Sequence, residues 1–255
     1  MATYYVLKAE KDGVEMRVEV NDVPVLVWNN QGKNSRTDQL NAWLERGEAT
    51  VRVRLERRDQ PGETAPAPAS ATLTVAPVVK DQPAGKPLLE FSWPPANKEQ
   101  EQYPFEKSFP FKVEDPPPSE FWTAAKPVNL GPQEREGAIA VVAELQEALA
   151  ARNRERALDL LLWKAIDMRR AHYLDVQDAR DDLTEYLGFF LDSPDWEVAP
   201  LKRDQLEIHA LAGNRLFWVT EPDSLDPIRS KEGASPTIRI PVYVAPLKGK
   251  WTIVR

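Results

Sequence analysis

The sequence predicts two domains: an all-β antiparallel sandwich over residues 1–115 and an α+β domain over residues 131–255, joined by a proline-rich linker at 116–130. Three observations carry this. In the first half, short runs of alternating apolar and polar residues recur between turn-forming residues. Pro116, Pro117 and Pro118 then break the pattern, because a residue with fixed φ and no backbone N–H continues neither a ladder nor a helix interior. After them the apolar spacing becomes three and four, and near residue 206 it returns to two.

Taken in order, "TYYVLKAE" (3–10) and "VEMRVEVN" (14–21) flank Asp12-Gly13, a pair that predicts a hairpin turn. "VPVLVWN" (23–29), "ATVRVRLE" (49–56), "ATLTVAPVV" (71–79), "LLEFSWP" (88–94) and "FEKSFPFKV" (105–113) read as further strands. In "ATVRVRLE" the period of two sends Val51, Val53 and Leu55 to a core and Arg52, Arg54 and Glu56 to water. "TDQLNAWLERG" (37–47) predicts one or two helical turns ended by Gly47, and "PGETAPAPAS" (61–70) a low-complexity loop.

The second domain opens on a helix. In "REGAIAVVAELQEALAARN" (135–153) the residues Ala138, Val141, Val142, Leu145 and Leu149 share one face. Asn153 is the expected cap of a second helix from Arg154 to about Tyr173. A third follows Asp175, with Asp175 and Asp178 as acidic capping residues and Val176, Ala179, Leu183, Tyr186 and Phe190 on one face. Four strands complete the domain. "LEIHAL" and "RLFWVT" surround the turn residues Ala212, Gly213 and Asn214, and "TIRIPVYV" and "WTIVR" surround "APLKGK".

Bulk chemistry narrows the function. A net charge of −7 disfavours nucleic acid and anionic membranes, whose binding rests on an excess of Lys and Arg. No cysteine is present, so disulfides, thiolate zinc sites and thiol nucleophiles drop out. Two histidines, His172 and His209, are too few for a three-histidine metal site, and no metal site or cofactor is expected. Phosphate-cradling glycine loops and the G-x-S-x-G nucleophile elbow are missing. The acidic run "QDARDD" (177–182) reads as a solvated helix face. The N-terminus has no apolar stretch of signal-peptide length, which predicts a cytoplasmic protein.

The order of three helices and four strands, with the ending Gly249-x-Trp251-x-Ile253-Val254, resembles the ketosteroid-isomerase-like (nuclear transport factor 2-like) superfamily. That resemblance implies a cone-like domain in which three helices pack on a curved antiparallel sheet around a cavity. The superfamily holds enzymes and binding proteins alike. Its isomerases use an aspartate base with two oxyanion donors, and no carboxylate here matches them by motif. "LNAWLERGEATVRVRL" is similar to a phrase of bacterial β-sandwich modules, which implies that Trp43 and Leu44 plug one end of the sandwich. The pair of modules also resembles accessory or immunity-type proteins of bacterial secretion-system loci.

One stretch gathers acid–base residues: "WKAIDMRRAHYLD" (163–175). Helical phase divides it. His172 falls on the apolar stripe of Leu158, Leu161, Leu162, Ala165 and Met168, with Arg169 at its edge and Tyr173 beside it. Asp167 and Arg170 fall on the side expected in water. Arg169, His172 and Tyr173 are therefore the candidate ligand-binding residues, and His172 the candidate acid–base. The bland alternative is a buried histidine satisfied by a backbone or side-chain partner, and an arginine paired with a carboxylate such as Glu207 or Glu185. The expected function is non-catalytic binding of a protein partner or a small ligand; the competing class is a cofactor-free isomerase, dehydratase or hydrolase working in the cone cavity.

Overall fold

The first unit is built of eight strands, most of them of alternating residues: β1 (Thr3–Asp12), β2 (Glu15–Val20), β3 (Val23–Trp28), β4 (Asn34–Gln39), β5 (Gly47–Glu56), β6 (Ser70–Val79), β7 (Leu89–Trp93) and β8 (Phe105–Val113). They form two antiparallel four-stranded sheets, ordered β4-β1-β6-β7 and β3-β2-β5-β8. The structure is a computed structural model that describes residues 2–57, 69–83, 85–95 and 102–255, with Ser224 described by its backbone only. The low-complexity reading of 61–70 lies, up to residue 68, outside the described residues. The chain divides into two compact units, Met1–Pro117 and Pro118–Arg255.

In the first unit both sheets feed one core. Tyr5, Leu7, Leu73 and Phe91 come from one, and Met16, Val18, Val51, Val53 and Leu55 from the other. The period of two is obeyed: Val51, Val53 and Leu55 are fully buried, while Arg54 lies in water and Arg52 is partly exposed. Leu44 is buried and Trp43 packs on the same core. Asn41, also buried, uses its side chain as backbone: Oδ1 accepts from Tyr5 N at 2.8 Å and Nδ2 donates to Thr3 O.

Two expectations in this unit are corrected. Asp12-Gly13 makes no hairpin, because β1 pairs with β4 and β6 while β2 pairs with β3 and β5; the turn carries the chain from one sheet to the other, with Gly13 at φ +69°. The hairpin follows instead, where Asn21 and Asp22, both at positive φ, join the paired residues Val20 and Val23. Within 37–47 only Asn41–Trp43 is helical, as a single 3-10 turn, and Thr37 to Gln39 belong to β4 along the edge of β1.

The second unit holds four helices: α1 (Phe121–Ala124), α2 (Pro132–Ala150), α3 (Arg154–Ala171) and α4 (Ala179–Leu191). Strands β9 (Glu207–Leu211), β10 (Leu216–Thr220), β11 (Ile228–Arg229), β12 (Arg239–Ile240), β13 (Val242–Leu247) and β14 (Lys250–Ile253) follow. Four of them make an antiparallel sheet ordered β14-β13-β10-β9, and β11 pairs with β12 separately. α2 packs on β13 and β14, α3 on α2, α4 and β14. Val142, Leu145, Leu158, Leu161 and Phe190 meet Phe217, Val219, Val244 and Ile253 in one core.

Local chemistry explains the boundaries. Asn153 caps α3, its Oδ1 accepting from Arg156 N at 3.1 Å. Asp178 stands at the N-cap of α4 in helical backbone conformation without a capping bond, and its carboxylate pairs with Arg169. Residues 212–215 close the β9–β10 hairpin with Ala212, Gly213 and Asn214 all at positive φ. Residues 118–130 belong to the second unit rather than to a free linker: α1 lies within them, and Val128 N donates to Asn214 O at 2.9 Å. Among the described residues no helix is long and apolar enough to cross a membrane.

Candidate functional site

Helix α3 carries the chemistry of the second unit, and it is buried on more than one side. The expected stripe holds: Leu158 and Leu161 are buried, and Ala165 and Met168 continue it half-buried. A second stripe runs through Ala157, Asp167 and Ala171, all buried. Lys164 sits between the two, three residues after Leu161 and four before Met168.

The expectation that Asp167 faces water is corrected by this second stripe. Asp167 is 1% exposed. Its Oδ2 accepts from Arg255 Nη1 and from Ser119 Oγ, each at 2.7 Å, and its Oδ1 accepts from Glu120 N at 2.5 Å and Phe121 N at 3.3 Å. Arg255 Nη2 donates to Ser119 Oγ at 2.9 Å, and its guanidinium lies over the Phe121 ring at 5.0 Å. Phase counting assumed one buried side; the α1 segment and the C-terminal residue cover another. Burial pushes the Arg255 guanidinium down while Asp167 opposes. Every charge here is matched, so the cluster is a clasp between α3, α1 and the end of the last strand.

The residues singled out from the sequence, near the end of α3 and in β9, each have partners. Arg169 pairs with Asp178 at 3.0 Å and with Asp182, and its Nε donates to Asp175 O, so its partners come from the start of α4 rather than from Glu207 or Glu185. His172 is the C-cap of α3; its Nδ1 donates to Met168 O at 2.7 Å. Tyr173 follows in the left-handed region at φ +56°, where the chain turns toward α4. Arg170 pairs with Glu120. His209 in β9 contacts Thr220 Oγ1 at 3.0 Å and packs against Trp218.

A cavity of about 300 Å³ does open along the expected stripe, one turn earlier. Leu161, Lys164, Ala165 and Met168 of α3 form its floor, Leu183 and Tyr186 of α4 one wall, and Arg239, Ile240 and Pro241 the other. Its surface is mostly carbon. Lys164 makes no hydrogen bond or ion pair among the described residues, and neither does the Arg239 side chain. Loss of water around the Lys164 amine brings it down to about 8; Arg255 pushes the same way and Asp226 opposes. Burial in turn raises the Asp226 carboxyl, against the pull of Arg239, Arg229 and Lys164. Burial also raises the Tyr186 phenol.

Contrast with the other buried amine shows what is unusual. Lys11 is 2% exposed on the inward face of β1, yet its ammonium donates to Gly32 O at 2.6 Å, to Asn30 Oδ1 at 2.9 Å and to Asn30 O. That is a satisfied structural lysine. Two larger recesses are lined by charges that engage one another. One, of about 580 Å³ on the β3-β2-β5-β8 sheet, has Arg17–Glu19 and Arg54–Glu56 at 2.8 and 2.7 Å. The other, of about 770 Å³ beside Trp251, has Arg156 on Glu144. At the α3–α4–β12 cavity neither cation makes a hydrogen bond or ion pair among the described residues, which suits an incoming anion or carbonyl group.

Lys164 is not among the residues singled out from the sequence. Its phase relative to Leu161 and Met168 is the signal that finds it. Among the described residues no group of acidic and histidine side chains could hold a metal ion. No protein-family model matches the chain, and no curated protein or solved structure matches it either.

Proposed function

We propose that this protein is a binding protein whose second unit takes a small, largely apolar molecule with an anionic head group, without turning it over. The observation that carries the reading is Lys164: its side chain lines a carbon-walled cavity together with Arg239, and its amine has no bonded partner among the described residues. At about 300 Å³ the cavity lies at the small end of the usual range for ligand sites, roughly 300–1,000 Å³, which suits a medium-chain or aromatic acid. The proposal includes the finer fold. The shared core of the first unit supports a β-sandwich, and helices on one antiparallel sheet support the cone-like domain of the ketosteroid-isomerase-like superfamily.

Displacement of the fluorescent apolar anion anilinonaphthalene sulfonate tests the function. Octanoate should displace it at least about tenfold more effectively than octanol, a difference of about 1.4 kcal/mol assigned to the head group. Lys164→Met should remove that preference. Equal displacement by the acid and the alcohol, or an unchanged preference in the variant, contradicts the proposal.

A second reading, docking of a protein partner, is favoured by α4. Phe189 is 68% exposed and Tyr186, which lines the cavity, 45%, three residues apart on α4. An immunity-type or accessory role would use that aromatic strip as its contact.

A further inference from the structure

We infer that Lys164 is a carbonyl-reactive residue, forming a reversible imine with small apolar aldehydes or ketones that enter the α3–α4–β12 cavity. The inference deepens the binding reading and rests on it: the same cavity admits the ligand, and the amine adds a covalent step.

Geometry supplies the conditions. An amine that attacks a carbonyl must be free of hydrogen-bond partners, reachable and partly neutral. Lys164 has no bonded partner among the described residues, and its side chain lines the open cavity by which a carbonyl compound would reach it. Arg239 of β12 and Tyr186 of α4 line the cavity with it, and two charged groups act on it, Arg255 at the chain end downward and Asp226 before β11 upward. Together with desolvation they leave the amine at about 8, so about a tenth is neutral at pH 7. The carbon walls of Leu161, Met168, Leu183 and Ile240 hold an alkyl or aryl tail and pose its carbonyl at the amine.

The step balances without a cofactor. The neutral amine adds to the carbonyl carbon to form a carbinolamine. The carbonyl oxygen then leaves as water with the two amine hydrogens, and a C=N bond remains. No oxidant or reductant enters, and hydrolysis reverses the reaction.

Reductive trapping tests it on the full chain. The protein is incubated with hexanal and sodium cyanoborohydride, then digested and mapped by mass spectrometry. Lys164 should be alkylated at least about tenfold faster than Lys112, a lysine whose side chain is 76% exposed. Its rate should level off above pH about 8, and octanoate should protect it. Labelling of Lys164 no faster than of Lys112 overturns the inference. Octanoate binding separates the two failures: if binding persists while trapping is unselective, only the covalent step is lost. Lys164→Arg, which keeps a cation at the cavity, should retain octanoate binding and lose trapping; trapping in that variant at the wild-type rate would show that another residue reacts.

Discussion

Asp167 Oδ2 and Arg255 Nη1 stand 2.7 Å apart, both side chains 1% exposed, and join helix α3 to the last residue of the chain. The pair is completed by Ser119 Oγ and two backbone N–H groups, so no lone pair of the carboxylate is left over. It holds the helix that forms the cavity floor.

Removing one partner of such a pair leaves a buried charge without its counter-ion. Asp167→Asn should destabilise the protein by about 3–5 kcal/mol. Urea unfolding, with the slope of the transition unchanged, measures it. The double variant with Arg255→Met should recover part of the loss, since it removes the buried cation that Asp167→Asn leaves without a counter-ion.

Lys164 makes stability depend on pH. Its folded value of about 8 lies below the ordinary 10.5. Below pH 8 both states are protonated, and the folded state carries a poorly solvated ammonium. Between pH 8 and 10.5 the unfolded chain binds more protons, so stability rises with pH. Lys164→Met should therefore be more stable than the parent at pH 7, by at most about 3 kcal/mol. The partial exposure of the side chain keeps the gain below that ceiling. The two urea curves should converge near pH 10; curves that stay parallel from pH 7 to 10 contradict the desolvated amine.

Two helical glycines should respond in opposite directions to alanine. A Cβ on Gly137 of α2 would lie 2.3 Å from Trp251 Cδ1 and 2.5 Å from its Nε1. The gain of about 1 kcal/mol in helix propensity is outweighed by an overpacking cost of roughly 1–3 kcal/mol, because the indole is wedged against Phe217 at 5.4 Å. A Cβ on Gly188 of α4 meets the ends of two polar side chains, Asp192 Oδ2 at 3.3 Å and Arg154 Nη2 at 3.7 Å. Thermal melting should show Gly137→Ala lowered and Gly188→Ala unchanged or raised.

Alternation was readable wherever one strand face meets a core: Val51, Val53 and Leu55 announce themselves because water lies on the other side. β4, "NSRTDQ", has no such signal, since it is an edge strand held to β1 mainly through its backbone. Asp12-Gly13 shows that a turn pair encodes a reversal but not the partner, which long-range pairing of β1 with β6 decides. Helical phase located the cavity stripe on α3 and misassigned Asp167, because phase fixes directions and not how many of them are covered. Arg169 was given distant carboxylates, whereas the short link to α4 brings Asp178 and Asp182 to it first.

The most direct test of the central claim, an apolar anion seated against Lys164, uses the scarcity of methionine. The chain has three, and of these Met168 lines the cavity while Met16 is 1% exposed in the core of the first unit. With ¹³C-methyl methionine, titration with octanoate should shift the Met168 signal saturably and leave Met16 in place. A Met168 signal that octanoate does not move, or that octanol moves equally, contradicts the account.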